Sequence, residues 1–480
     1  MTPDDPNRSR GGLSIVPGGG DRRARPRTTD VVPAPVPAPV DPAGGPRAAV
    51  DPITQTGLEA VGEPAMLPGP RPGEVWTDAQ ADAWLASRDL VGWRFALDRI
   101  HKLLHALGDP HLEAPAVHIV GTNGKSSTTR MIAALLAAHG RQPGAFLSPH
   151  LADLRERIEI GGVPISENAH AGAVAEVARA AVGVDEPGDP VTQFEAHTAT
   201  AFVALAEAEC DVYVVEAGLG GRLDSTNVLG AAVVALTSVD LDHTALLGDT
   251  IEEITAEKVA VVTPGAALVL GAGLSEAATI VARDHAARVG AQVITARPEP
   301  LDRALGATYQ AENFALARAV CEAYMGALDL RIVREVARTF AMPARFEQVG
   351  SEPITILDGA HNPAGARALS ASLDQAGLSS GGVAVVSVLA DKDAAGIVAA
   401  LDGRVDHFVL TDCGSPRALP PADLAAVVRA TLPAAHVDVV DRPGAALDFA
   451  RTAAGPRGFV VVCGTLALAR TIRATTGVGP

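Results

Sequence analysis

Ala116 to Val120 is a short apolar run interrupted only by His118, Gly121-Thr-Asn-Gly124 follows it, and from Ser126 to His139 the residues Met131, Ile132, Leu135 and Leu136 recur at helical spacing before Gly140. The pattern predicts a strand, a tight turn and a helix, in that order. Such a unit narrows the choice of fold. The strand needs parallel neighbours, and the helix must cover the sheet they form. It also aims backbone N–H groups and a helix N-terminus at one point beyond the strand, where an anion binds well. With Lys125 at the helix start, Gly121, Thr122, Asn123, Gly124, Lys125, Ser126 and Ser127 read as a phosphate-binding loop. Only two residues separate its glycines, so it is shorter than the common G-x-x-x-x-G-K-[ST] pattern.

An ordinary glycine-rich turn could look the same, but the lysine count argues against it. The chain has four lysines, Lys102, Lys125, Lys258 and Lys392, beside 35 arginines. A phosphate cradle suits a slim ammonium better than a forked guanidinium. Lys102 needs no more than chance to explain it.

Further apolar runs repeat the theme. Asp211 to Glu216 leads into Ala-Gly-Leu-Gly-Gly, and Ala232 to Val239 leads into Asp-Leu-Asp-His. Thr250-Ile-Glu-Glu reads as a capping box opening the helix that carries Lys258. Strands alternating with Ala-rich helices imply an α/β, mostly parallel sheet domain. From about Arg345, five more apolar runs begin at Ile354, Val383, His407, Val437 and Phe459. They suffice for a smaller Rossmann-like C-terminal domain. The expected division is therefore 1–75, 76–342 and 343–480, with a hinge around Thr339 to Pro343. Residues 1–75 hold 15 of the 35 prolines and are expected to be a disordered tail.

Composition excludes several classes. The formal charge of -17 disfavours a nucleic-acid surface. It also leaves any anionic substrate dependent on backbone amides, a few cations and metal ions. Cys210, Cys321, Cys413 and Cys463 lack CxxC spacing, which excludes a zinc ribbon or disulfide framework and suits a reducing cytoplasm. No run is long enough to span a membrane, and the start lacks a signal-peptide core.

Several other residues end strands. Glu216 offers a hard oxygen where open α/β sheets bind ligands. His243 lies in Asp240-Leu-Asp-His-Thr, where a structural and a metal role are equally open. Asp358, His361 and Asn362 share Asp-Gly-Ala-His-Asn-Pro; an Asx turn explains Asn362 but not Asp358 or His361. In Thr192-Gln-Phe-Glu195 a capping box accounts for Thr192 and Glu195, while Phe194 is free to stack on a ligand.

In order and spacing, these motifs resemble the bacterial folylpolyglutamate synthase/dihydrofolate synthase family, a branch of the Mur ligase superfamily. The resemblance runs from about Ala79 to the C-terminus and includes Trp93 to Ile100, Ser148-Pro-His-Leu151, Glu156-Arg-Ile158, Asn313, Arg345-Phe346 and Asp391-Lys-Asp393. It implies a two-domain ligase that adds L-glutamate to dihydropteroate or a folate through an acyl phosphate. It implies ATP and two Mg²⁺ ions, with K⁺ a further candidate. Lys125 and its loop would hold phosphate. Ser148, Glu216 and a loop serine (Ser126 or Ser127) would bind one ion; Glu216, His243 and a carbamylated Lys258 would bind the other. Asn313 would approach adenine and Arg345 the terminal phosphates. Asp358 and His361 would serve the nucleotide and incoming glutamate. Ser148, Pro149, His150, Arg157, Thr192 and Phe194 would contact the pterin substrate. A cytoplasmic monomer with no membrane or nucleic-acid partner is expected.

The sequence departs from the family at Gly-Lys-Ser-Ser, where Gly-Lys-Gly-Ser is common, and at Cys463-Gly-Thr, where Gly-Ser-Leu-Tyr is expected. The rival readings are a Mur-type peptidoglycan amino-acid ligase and a non-catalytic nucleotide-binding protein. A 75-residue Pro-rich segment does not supply the folded UDP-sugar domain of the first. The joint presence of Lys125, Glu216, His243 and Lys258 opposes the second. A GTPase would need an Asn-Lys-x-Asp motif, which is absent.

Overall fold

The computed structural model describes residues 66–88 and 96–476. Most of the expected Pro-rich tail, and Trp93 to Phe95, lie outside the described residues. The tail was expected to reach residue 75, yet residues 66–75 already lie against the body. Leu67 N donates to Ser87 Oγ at 3.2 Å, and Gly69 packs on the carbonyl of Ala178.

The first sheet has eight strands: β1 (Ala116–Val120), β2 (Pro143–Phe146), β3 (Ile158–Ile160), β4 (Val163–Pro164), β5 (Val212–Glu216), β6 (Val233–Leu236), β7 (Ala267–Leu270) and β8 (Gln292–Thr295). Their order across the sheet is β4-β3-β2-β5-β1-β6-β7-β8. The six strands from β2 to β8 are parallel, and β3 and β4 add an antiparallel edge. Burial on both faces explains why β1, β5 and β6 read as nearly continuous apolar runs. Alternate side chains still go to opposite cores. Val117, Ile119, Val212 and Val214 meet Met131, Leu135 and Phe314 on one face. Tyr213, Val215 and Leu236 meet Phe202 and Leu205 on the other.

The second sheet has six strands: β9 (Glu347–Ser351), β10 (Ile354–Leu357), β11 (Gly382–Val386), β12 (Val405–Leu410), β13 (His436–Val439) and β14 (Phe459–Cys463). Their order is β13-β12-β11-β14-β10-β9. The five apolar runs are its parallel strands. The sixth, β9, pairs antiparallel at the edge and was not foreseen. Its Glu-Gln-Val-Gly-Ser sequence has one covered side, so it carries little apolar signal.

The Thr250 capping box forms only in part. Thr250 accepts from Glu253 N, but the Glu253 carboxylate turns back to Asp249 N at 2.8 Å. The Thr192 box forms in full. No helix among the described residues is long and apolar enough to cross a membrane.

Candidate active site

The C-terminal ends of parallel strands from both sheets face one cavity of about 550 Å³. β1 delivers the glycine loop there. Gly121 has φ 151°, and a Cβ on it would fall 1.9 Å from Thr237 Oγ1, so no larger residue fits. The loop is tied to the end of β6: Thr122 N donates to Ser238 O at 2.8 Å, Asn123 N to Ser238 Oγ at 2.9 Å, and Thr237 Oγ1 to Asn123 O at 2.7 Å. Gly124 then caps the Lys125–Ala138 helix, whose N-terminal amides look into the cavity. Lys125 Nζ donates to Gly121 O at 3.1 Å and to Thr122 O at 3.2 Å.

β5 ends at Glu216, which is buried. One carboxylate oxygen accepts from Ser126 Oγ at 2.9 Å and the other from Ser148 N at 3.0 Å. Burial raises its pKa, against the Lys125 charge and these two hydrogen bonds. The Ser127 hydroxyl is buried and has no hydrogen-bond partner. Of the two loop serines, Ser126 therefore faces the carboxylate.

Lys258 comes from the Ile251–Val259 helix and is 2% exposed. Its Nζ donates to Gly121 O at 3.1 Å. Burial, then the charge of Lys125, lowers its pKa to about 7. His243 follows β6 in a left-handed conformation, φ 51°. Its Nε2 lies 3.4 Å from Lys392 Nζ.

The second sheet supplies Asp358 at the end of β10. Its carboxylate is buried and accepts from Tyr309 OH at 2.5 Å, Phe346 N at 2.9 Å and Ala360 N at 2.8 Å. Burial raises its pKa, against the charge of Arg345. Arg345 sits between two left-handed residues, Ala344 (φ 53°) and Phe346 (φ 52°). Positive φ without glycine costs roughly 1–3 kcal/mol per residue; here it directs Arg345 towards Gly359 and the cavity. His361 Nδ1 is 2.8 Å from Gly359 O, so that nitrogen carries the proton. Burial lowers the ring's pKa to about 4 and keeps it neutral.

All the expected catalytic, nucleotide-binding and metal-binding residues line this one cavity, as do Ser148 and Pro149. Four of the expected substrate residues are not among its lining. His150 accepts from Arg157 Nε at 3.1 Å. Burial lowers the pKa of both, His150 to about 4 and Arg157 to about 10. Thr192 is buried in its capping box with Glu195, which also pairs with Arg99. Phe194 packs on Phe146 at a ring separation of 6.1 Å and covers Gly218, where a Cβ would fall 2.3 Å from its Cζ. That places the ring behind the turn that follows Glu216.

Reading the sequence missed Tyr309, and it named Lys392 within Asp391-Lys-Asp393 without giving it a role. No local pattern marks Tyr309, which lies 49 residues before the carboxylate it binds. Lys392 did carry a signal, as one of only four lysines. Lys102, by contrast, forms an exposed pair with Glu186.

Comparisons with known proteins identify the family. The model of the Mur ligase, glutamate ligase domain matches residues 344–466. The dihydrofolate synthase/folylpolyglutamate synthase of Mycobacterium tuberculosis is 37% identical over 373 residues, 69% of this chain and 77% of that protein. A crystal structure of Mycobacterium tuberculosis folylpolyglutamate synthase complexed with ADP and AMPPCP superposes with a TM-score of 0.77 at 33% identity, covering 84% of this chain and 98% of the other. A bifunctional folylpolyglutamate synthase/dihydrofolate synthase with Mn, AMPPNP and L-glutamate bound gives a TM-score of 0.72 at 28% identity, covering 84% and 99%. The chain belongs to the folylpolyglutamate synthase/dihydrofolate synthase family of the Mur ligases.

Proposed function

We propose that this protein is an ATP-dependent ligase that joins L-glutamate to dihydropteroate, to folates, or to both. One observation carries the reading: the glycine loop, Lys125, Glu216, His243 and Lys258 from the first sheet share a cavity with Arg345, Asp358 and His361 from the second. The peptidoglycan alternative falls, because the relatives named above are folate enzymes that match most of both chains.

A carboxylate does not react with an amine at neutral pH until it is activated. A substrate carboxylate oxygen attacks the γ-phosphorus of ATP, the bond to the β,γ-bridging oxygen breaks, and ADP leaves. The glutamate nitrogen then attacks the acyl carbon, loses its proton, and phosphate departs with the C–O bonding pair. For the first step the loop amides and Lys125 hold the phosphates where charge is transferred. Arg345 reaches the same space from the other sheet and Asn313 lies beside Gly124; Arg345 would meet the terminal phosphates, Asn313 adenine, and Asp358 the nucleotide. For the second step, neutral His361 leaves Nε2 as an acceptor near the incoming amine.

The donor set suits hard cations. Burial raises the Glu216 pKa even beside Lys125 and the Ser126 hydroxyl, and a hard cation bound there would favour the charged carboxylate. Ser126, Ser148 and Glu216 would hold one Mg²⁺; Glu216, His243 and a carbamylated Lys258 would hold a second. When bound, the ions neutralise charge on the transferring phosphoryl group. Burial that favours the neutral amine of Lys258 favours its reaction with CO₂, which converts a repelling cation into an anionic oxygen ligand. The Ser148–Arg157 segment and Phe194 would contact the pterin substrate. We place the protein in the cytoplasm, where four free and buried cysteines stay reduced.

Purified protein with ATP, Mg²⁺ and labelled glutamate tests the assignment, with dihydropteroate and tetrahydrofolate offered in parallel. Label should enter at least one product, and ATP turnover should require both pterin and glutamate. Turnover with a UDP-muramoyl acceptor instead would refute it.

A further inference from the structure

Asp242 stands one residue before His243, yet its carboxylate is taken up by the other sheet. Lys392 Nζ donates to one oxygen at 2.7 Å, and Asn362 Nδ2 to the other at 3.0 Å. Both charged side chains are nearly buried, at 9% and 12% exposure. Asn362 also forms a reciprocal amide pair with Asn123 at the tip of the phosphate loop, with N–H···O distances of 3.0 and 3.2 Å. Its Oδ1 at the same time accepts from Gly365 N at 2.8 Å and caps the Pro363–Gln375 helix. Four side chains thus join the phosphate loop and the turn after β6 to the turns after β10 and β11.

Neither motif needs this contact for its own chemistry. A phosphate loop works through backbone amides and a lysine, and a helix cap needs only an acceptor. The donor side of Asn362 and the ammonium of Lys392 are surplus to both roles, and both are spent across the cleft. A nearly buried ion pair is rigid, and breaking it from one side leaves an unpaired charge.

We propose that Lys392 and Asn362 are positioning residues that act through Asp242 and Asn123: they latch the second sheet onto the phosphate loop and set His243, so that the cleft is sealed to water while the activated acid waits for glutamate. This rests on the ligase reading above and adds a sealing role to it. An unlatched enzyme would still activate its substrate but lose acyl phosphate to hydrolysis.

The test uses full-length Lys392→Met, Asp242→Asn, the double variant and Asn362→Asp, which keeps the cap acceptor but turns a donor into a carboxylate facing Asp242. Phosphate released and amide formed are counted in the same assay. Wild type should give a ratio near one. Each single variant should raise that ratio at least about threefold and lower amide formation about tenfold or more, with little change in the KM for ATP. The double variant should be no worse than the weaker single. Hydrogen exchange at residues 121–126 and 362–366 should rise alike in all variants. That arm reads the latch even if the wild type proves inactive towards folates, which would sink the parent reading alone. A Lys392→Met effect confined to the KM for glutamate, with the ratio at one and effects additive with Asp242→Asn, would overturn the latch; so would unchanged exchange.

Discussion

Lys125 and Lys258 place their ammonium groups on the same acceptor, the carbonyl oxygen of Gly121, each at 3.1 Å. Two cations on one carbonyl are not a stabilising arrangement in themselves. Burial of Lys258, and after it the charge of Lys125, lowers the Lys258 pKa from 10.5 to about 7.

Lys258 should therefore change chemistry across neutrality. With a pKa of about 7, roughly a tenth of the amine is neutral at pH 6 and roughly nine-tenths at pH 8. Carbamate formation from ¹³C-bicarbonate, followed by NMR, should rise steeply between those values and vanish in Lys258→Met. Ligation in that variant should fall more than about 100-fold. The unfolded chain holds this proton up to about pH 10.5, so stability should climb as pH rises from 7 to 10.5. The stabilising effect of Lys258→Met should be larger at pH 6 than at pH 9 in denaturant melts.

Ser126 and Ser127 should separate in their dependence on divalent ions. Only the Ser126 hydroxyl faces Glu216. Ser126→Ala should raise the Mg²⁺ needed for half-maximal rate by about tenfold or more, on the scale of about 1.5–3 kcal/mol for a hydrogen bond to a charged group. Ser127→Ala keeps its backbone amide and should cost several-fold less. Titration of rate against free Mg²⁺ distinguishes them.

Gly121→Ala should harm both fold and nucleotide binding. The added carbon meets Thr237 Oγ1, and the backbone sits at φ 151°. A loss of about 2–4 kcal/mol is expected from overpacking with strain. ADP affinity, measured by calorimetry, should drop with it.

Phe194→Ala should weaken pterin binding more than ATP binding, because the ring lies behind the Glu216–Gly218 turn and outside the nucleotide cavity. It should also cost about 3–5 kcal/mol of stability if the ring behaves as core. Equal rises in both KM values would assign it a packing role only.

Tyr309→Phe should act through Asp358. It removes the donor from a buried carboxylate that keeps two backbone donors. A stability loss of about 1.5–3 kcal/mol is expected, with the KM for ATP rising more than the KM for glutamate. Differential scanning fluorimetry and initial-rate kinetics check the two halves.

By itself the sequence determined the local units. β1, the glycine turn and the helix after it were legible because strand burial, turn chemistry and helical periodicity each act over a few residues. The five parallel strands of the second sheet were legible for the same reason, while short or one-sided strands such as β3, β4 and β9 carry too little apolar signal. Glu216 and Asp358 stood out at strand ends through the glycine-rich and Asp-Gly-Ala-His-Asn-Pro runs around them, while His243 alone read equally well as structural. Only the tertiary structure decided which groups meet. Tyr309 on Asp358, Lys392 on Asp242, and Lys258 beside Lys125 join residues 49, 150 and 133 positions apart. Such pairings depend on how two sheets are juxtaposed, and long-range packing leaves no periodic trace along the chain.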